Sequence, residues 1–534
     1  MKSDVMLLSD CFESFRQTMI SAHGLDCLHF PTLPSMTLQI ALKMTQIELD
    51  LITDPDQHLL LESSIRGGMS YVAHRYAKAN NPSLPDFDPK LPITELSYWD
   101  ANSLYAASQM YELPVGKFRF LSPEEIENFD VNSISDDSPT GYILEVDLLY
   151  PPSLHSSHSA YPLCPEHVIV QQSMLSPTLE QMYDYVGTKH TPSTKLITNL
   201  NDKYYYVTHY KCLKFYLSQG MQLTKIHRIL SFSQSAFMRP FIEYCNSQRQ
   251  NAKTDFESGL YKLLPNAFFG KSCENKRKRV NIRLITDPKK LIRAAGKSTF
   301  KKSTIVNSDL VLVETAHTKI YMNRPIALGF CILEMSKLIM YRFYYEVLLP
   351  KYGDKFRMLF TDTDSFIFLI ETPDFHADMA GVMQWLDTSN FPPDHPLYST
   401  ANKRKLGCFK SETGAHCPSE FVGLRSKMYS LWTPTSDDDR HTYAKAKGVP
   451  KSYVKKHVRH QQYLHVLNSW STTKCKFRNF RSARHEITTR EMSKTCLSAI
   501  DDKRFLLPDG ITSLPYGHCD IPRASEGVAR SEHD

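Results

Sequence analysis

Thr361-Asp362-Thr363-Asp364-Ser365 sets two aspartates one residue apart between the apolar-rich runs Met358-Leu359-Phe360 and Phe366-Ile367-Phe368-Leu369-Ile370. Two β-prone runs joined by short polar residues predict a hairpin, and period-two geometry points Asp362 and Asp364 to one side of the backbone. Carboxylates that close repel each other, and a divalent cation relieves the repulsion. An isolated Asp-x-Asp is more often a solvated acidic turn, so the stretch takes its meaning from the rest of the chain.

Upstream, Ser97-Tyr98-Trp99-Asp100-Ala101-Asn102-Ser103-Leu104-Tyr105 reads as a strand ending at Asp100. Ser103 is placed to cap a short helix from Leu104 through Met110. A carboxylate at a strand end beside free helical amides suits a metal-bound polyphosphate, although an N-cap sequence alone would look the same. Between the two stretches lies Tyr261-Lys262-Leu263-Leu264-Pro265-Asn266-Ala267-Phe268-Phe269-Gly270-Lys271, preceded by Arg249 and Lys253. Lys262 and Asn266, four apart, share one helical face that can grip a triphosphate and stack on a base. Alone, such a stretch is more often a basic surface helix ending at a glycine.

Taken together, the three segments resemble motifs A, B and C of the family B DNA polymerases, in the family's order. Asp100-x-x-Ser103-Leu104-Tyr105 is similar to DxxSLYP, Lys262-x-x-x-Asn266-Ala267-x-Phe269-Gly270 to KxxxNSxYG, and Phe360-Thr361-Asp362-Thr363-Asp364-Ser365 to YxDTDS. Further segments resemble the protein-primed branch of viral and Polinton-type transposon enzymes. Ile65-Arg66-Gly67-Gly68 is similar to a template-contacting YxGG segment, Leu424-Arg425-Ser426-Lys427-Met428-Tyr429 to the KxY segment near the primer terminus, and Ala446-Lys447-Gly448-Val449 and Asp501-Asp502-Lys503-Arg504 to that branch's thumb and tail. Ala106, Ala267, Phe269 and Phe360 depart from the proline, serine and tyrosines usual at those positions.

The resemblance implies an α+β right-hand fold of palm, fingers and thumb, with an antiparallel palm sheet carrying the carboxylates. It implies DNA synthesis with Asp100, Asp362 and Asp364 as catalytic acids. Asp100, the Ala101 carbonyl and Asp364 would hold two Mg²⁺ ions, with Mn²⁺ a substitute, and Asp362 would support them. Ser103, Leu104, Tyr105, Arg249, Lys253, Lys262 and Asn266 would bind the nucleotide, Tyr105 excluding a 2′-hydroxyl. Arg66, Gly67, Gly68, Gly270, Lys427 and Tyr429 would contact DNA. Expected partners are primer-template DNA, deoxyribonucleoside triphosphates and a terminal priming protein. Another palm polymerase using ribonucleotides, or a non-catalytic DNA-binding remnant of a transposon polymerase, are the competing readings.

The implied order is an exonuclease remnant and linker over 1–64, palm over 65–118, an insertion like a terminal-protein region over 119–234, and fingers over 235–275. A second such insertion covers 276–323, the palm resumes over 324–430, and thumb and tail fill 431–534. Lys2-Ser3-Asp4-Val5-Met6-Leu7-Leu8 resembles only the end of the last exonuclease motif, whose tyrosine would precede Met1, so synthesis without proofreading is expected.

At 534 residues and 42% hydrophobic content the chain can bury several cores. The longest apolar stretch, Ile326 to Leu349, is interrupted by Glu334, Lys337, Arg342 and Glu346. It predicts a buried helix that stops at Pro350, not a membrane span. Asp4 and Asp10 break any secretory signal, and the 12 cysteines are scattered without a Cys-x-x-Cys pair. These features predict an intracellular, non-secreted protein with reduced thiols, the nucleus being one candidate compartment. The formal net charge is +6, with basic stretches from Lys271 to Lys302 and from Lys445 through Arg484. Such stretches suit phosphate neutralisation, while Lys276-Arg277-Lys278-Arg279 reads equally as a solvated loop or an import signal.

Overall fold

The expected hairpin forms, and a sheet is built outward from it. In the computed structural model, which describes residues 2–434, 443–483 and 486–522, strands Phe356–Asp362 and Ser365–Glu371 pair antiparallel. Strand Thr94–Ala101 lies against Ser365–Glu371, with Asp100 opposite Ser365 and Trp99 opposite Phe366. Ser70–Val72 borders the hairpin on its other side, and Phe409–Ser411 followed by Leu386–Asp387 completes six strands. The middle strands read as continuous apolar runs because both faces are covered. Trp99, Phe366 and Phe368 enter the largest core, while Tyr98, Ile367 and Phe360 pack with Phe421, Tyr429 and Leu431 on the opposite face.

The first face is covered by the helix Ile326–Arg342, whose residues from Ile326 to Tyr341 are all buried. The rod does not stop at Pro350. Instead it widens into a π-helical segment, Phe343–Leu348, and continues as Leu349–Tyr352. The wider turn tolerates a proline, whose missing N–H would break an ordinary α-helical ladder, and Gly353 at φ 53° then ends the rod.

Two helices, Arg239–Asn251 and Asp255–Ser272, stand over the carboxylate end of the sheet. Their apolar residues Phe241, Ile242, Leu264 and Phe268 pack with Ile326 and Phe330 of the rod and with the helix Leu33–Thr45. The second of them carries Pro265 in its interior and is N-capped by Thr254, whose hydroxyl accepts the Glu257 N–H. A separate four-stranded antiparallel sheet joins Tyr76–Lys78, Glu420–Arg425, Met428–Trp432 and Tyr443–Ala446. Helices Lys451–His457 and His460–Ser469 pack on it, and a long hairpin, Thr473–Ala483 with Glu486–Leu497, follows.

Between the first motif and the helical pair, strands Leu113–Phe120, Gln222–Ser235, Thr140–Leu149 and Lys203–His209 form another sheet whose apolar residues join both large cores. The segment 281–315 forms a three-stranded sheet with the helix Pro288–Ala295. The boundaries expected at 118/119, 234/235 and 430/431 each fall inside a strand. Met1, Arg484 and residues 523–534 lie outside the described residues, so the far end of the second basic stretch and the last part of the tail are not located. Among the described residues no helix is long and apolar enough to cross a membrane.

Candidate active site

The two aspartates of the hairpin do not continue the strand alternation. Strand geometry ends at Asp362, Thr363 takes a left-handed φ of 66°, and the Asp364 N–H donates to the Asp362 carbonyl at 2.7 Å. A left-handed threonine is costly unless its surroundings hold it. Here the Thr363 N–H donates to the Met69 carbonyl at 2.7 Å, and Gly68 lies directly beneath. A Cβ at Gly68 would come within 2.3 Å of Thr363 Cγ2, so the glycine is needed for the tip to sit there. The role of Gly68 visible in the structure is therefore to seat the carboxylate turn.

Asp100 reaches the same place from the adjacent strand. The Ala101 N–H donates to the Asp364 carbonyl at 2.6 Å, which ties the end of one strand to the turn of the other. Burial raises the pKa of both carboxyls. The charge of Asp364 adds to the effect at Asp100, that of Asp362 adds to it at Asp364, and Lys262 opposes it at both. Asp362 is held differently, since Lys427 Nζ lies 2.7 Å from its Oδ1 and 2.9 Å from its Oδ2. Lys427 occupies the turn between strands Glu420–Arg425 and Met428–Trp432 at φ 59°. Tyr429 is buried, its hydroxyl 3.1 Å from that of Tyr98 and its ring 4.6 Å from that of Phe360.

Ser103 does not cap the helix after it. It adopts φ 47°, makes no capping bond, and its Oγ accepts a hydrogen bond from Arg249 Nη1 at 3.0 Å. The helix itself is shorter than expected, Leu104–Ser108, with Leu104 buried. The Tyr105 ring stacks on Phe269 of the second overlying helix, centroids 4.3 Å apart and planes 17° apart. Burial, with the charge of Asp364 behind it, pushes the Tyr105 phenol up to about 12. On that same helix Lys262 is exposed, Asn266 is partly exposed, and a Cβ at Gly270 would meet only open space. Lys253 is exposed in the link between the two helices, its N–H donating to Glu257 Oε2 at 2.9 Å.

Arg66 departs from its expected place. Only 9% exposed, it lies 3.9 Å above the Tyr206 ring and donates to the Val207 carbonyl at 2.8 Å. Its guanidinium ties the loop before Gly67 to the strand Lys203–His209 and is buried there. An aromatic face and a carbonyl compensate the buried cation, which is why an arginine is stable there.

The acids open into a cavity of about 780 Å³ lined by Asp100, Asp364, Lys427, Lys447, Lys451 and Lys455. The last two were not among the sequence candidates. Their signal was the spacing Lys451-x-x-x-Lys455, which sets both cations on one face of the helix Lys451–His457. Asp387 and Arg404, which brace the first motif through Asn102, lacked any such signal because they are distant from it in sequence.

A family model described as DNA polymerase type B, organellar and viral, matches residues 1–343. Among solved structures, the chain is similar to Phi29 DNA polymerase complexed with primer-template DNA (post-translocation binary complex). That match has a TM-score of 0.50 at 15% identity, covering 90% of this chain and 70% of that one. Phi29 DNA polymerase complexed with primer-template DNA and incoming nucleotide substrates (ternary complex) matches with a TM-score of 0.49 at 13% identity, over 87% of this chain and 68% of that one. No curated protein sequence matches the chain. The likeness to the binary complex shows a shared α+β fold of palm, fingers and thumb.

Proposed function

Because the chain belongs to the organellar and viral type B DNA polymerases, we propose that it extends a primer 3′-hydroxyl with deoxyribonucleotides on a DNA template, as a nucleotidyltransferase of a virus-like or mobile element. The observation that carries this reading is the meeting of Asp100 and Asp364 at the ends of paired strands, both raised in pKa by burial and crowding, with the charge of Lys262 acting on both. In this reading the palm comprises 65–118 and 324–430, the fingers 235–275, the thumb 431–534, and the two insertions the segments between.

The donor set fits Mg²⁺. Two crowded carboxylates and a neighbouring backbone carbonyl, Ala101, are hard oxygen ligands, and Asp362 is already occupied by Lys427. When bound, two such ions would lower the pKa of the attacking hydroxyl and stabilise the departing pyrophosphate. The chain's own groups divide the remaining work. Lys262 and Arg249 neutralise the triphosphate, and Lys427 holds Asp362 so that Asp364 is left for a cation. Tyr105, stacked on Phe269, forms a wall against the sugar and so excludes a 2′-hydroxyl. Lys447, Lys451 and Lys455, which line the same cavity as the acids, would neutralise phosphates of the duplex backbone.

The test is extension of a primed DNA template with and without Mg²⁺, using deoxy- and ribonucleotides in parallel. Expected are Mg²⁺-dependent extension with deoxyribonucleotides, its loss by at least about 10³-fold in Asp364→Asn, and retained duplex binding by that variant. Substantial synthesis by Asp364→Asn would remove the assignment of the acids. Mismatched 3′ ends should survive intact, in keeping with synthesis without editing by these 534 residues.

A further inference from the structure

The turn after Asp100 is gripped by a distant segment, the loop between strands Leu386–Asp387 and Phe409–Ser411. Asn102 is held three ways. Its N–H donates to the Cys408 carbonyl at 2.9 Å, its carbonyl accepts the Gly407 N–H at 2.9 Å, and its Nδ2 donates to Asp387 Oδ2 at 2.7 Å. Asp387 is fully buried and also accepts the backbone N–H groups of Arg404, at 2.8 Å, and Ser389, at 3.1 Å. Arg404 is thereby fixed in a left-handed conformation, φ 56°, that an arginine seldom adopts.

That conformation sends the Arg404 side chain to the fingers. Its Nη1 donates at 2.7 Å to the carbonyl of Arg249, in the last turn of the helix Arg239–Asn251, where carbonyls have lost their helical partners. Arg249 in turn reaches back to Ser103, two residues from Ala101. The result is a closed circuit: Asn102, Asp387, Arg404, Arg249 and Ser103. Two guanidinium groups are crowded in it, and Arg249 Nε is buried without a hydrogen-bond partner among the described residues. Burial lowers the Arg249 pKa, and the charge of Arg404 adds to that lowering. Two like charges, one of them with an unused donor, are stabilised when an anion arrives.

We propose that Arg404 is a positioning residue for nucleotide binding, holding the end of the fingers helix against the first motif so that Arg249 meets the triphosphate of the incoming nucleotide. This rests on the polymerase reading given above. Arg404 acts through Arg249 and touches no reacting atom.

The test is a double-mutant cycle. Wild type, Arg404→Ala, Arg404→Lys, Arg249→Ala and the Arg404→Ala/Arg249→Ala pair are compared for deoxynucleotide KM, kcat, duplex Kd and melting temperature. Loss of a charge-assisted bond predicts that Arg404→Ala raises KM about tenfold, with kcat within about twofold and duplex affinity unchanged. Arg404→Lys, which keeps one cationic donor, should recover most of the effect. In the Arg249→Ala background the same substitution should change KM by less than about twofold, because the residue it serves is gone. An unchanged KM in Arg404→Ala, or an undiminished rise in the Arg249→Ala background, overturns the proposal. If wild type itself fails to extend primers, the polymerase reading falls. Equilibrium binding of a non-hydrolysable deoxynucleotide to the wild type, Arg404→Ala and Arg404→Lys, on duplex, then decides the role of Arg404 by the same fold-changes.

Discussion

Single residues here are chosen by what their neighbours leave unsatisfied. Lys427 engages Asp362 while burial and neighbouring carboxylates raise Asp100 and Asp364, so three similar acids sit in different electrostatic settings. Glu95, at the far end of the strand that carries Asp100, shows the same physics without the chemistry. Its partners are the neutral donors Asn81 Nδ2, at 2.7 Å from its Oε2, and the Cys417 thiol, and burial outweighs them to push its pKa up to about 7. A carboxyl raised in the folded state binds its proton more tightly there than in the unfolded chain. Its cost to stability is therefore absent below its unfolded value near 4.5, grows as pH rises through the window up to about 7, and is complete above it. Glu95→Gln should stabilise the protein by on the order of 3 kcal/mol at pH 8 and by almost nothing at pH 4. Urea unfolding of both proteins at the two pH values measures the difference, and an equal effect at both would contradict the raised pKa of Glu95.

At the scale of elements, the rod beneath the sheet is where an irregularity does positive service. Its π-helical segment begins at Phe343, which stacks on Phe409 with centroids 3.7 Å apart and planes 15° apart. Phe409 is the register partner of Ala101, so this stack supports the strand end that carries the first acid. A regular α-helix, with its tighter i→i+4 bonding, would turn the side chains of this segment to other directions and lose the alignment. Phe343→Ala should cost about 3–5 kcal/mol and lower kcat more than KM, because it loosens the support of Asp100 and not the fingers. Denaturant titration and steady-state kinetics check both parts. A stability loss with an unaltered kcat would separate the stack from the site.

For the whole molecule, the acids lie at the floor of the large cavity and lysines from the second sheet and its helix form its wall. Lysines paired with phosphates release counterions, so duplex affinity should fall steeply with salt. Lys451→Ala with Lys455→Ala should reduce the steepness of log K against log salt by about 1.8 and weaken all duplex sequences alike. Fluorescence anisotropy over a salt series gives the slope, and an unaltered slope would place the backbone path elsewhere. The same scale explains what was legible. The hairpin, the strand before Ser103, the Lys262 helix and the buried rod were readable because each is written in local periodicity. The burial of Arg66, the continuation past Pro350 and the bond from Arg249 to Ser103 were not, since each depends on a partner far away in the chain.

The sequence by itself determined the order and type of the chemical parts: an acid after a strand, a lysine and an asparagine four apart on a helix, and two acids on a turn. Spacing alone specifies those features, because backbone periodicity is local. Only the tertiary structure decided which acid is paired and which are left crowded, since that depends on Lys427 reaching Asp362 from a second sheet. It also decided that a loop near Arg404, remote from every recognisable motif, closes on the first of them. Burial and charge act through space, and the sequence records neither until the chain is folded.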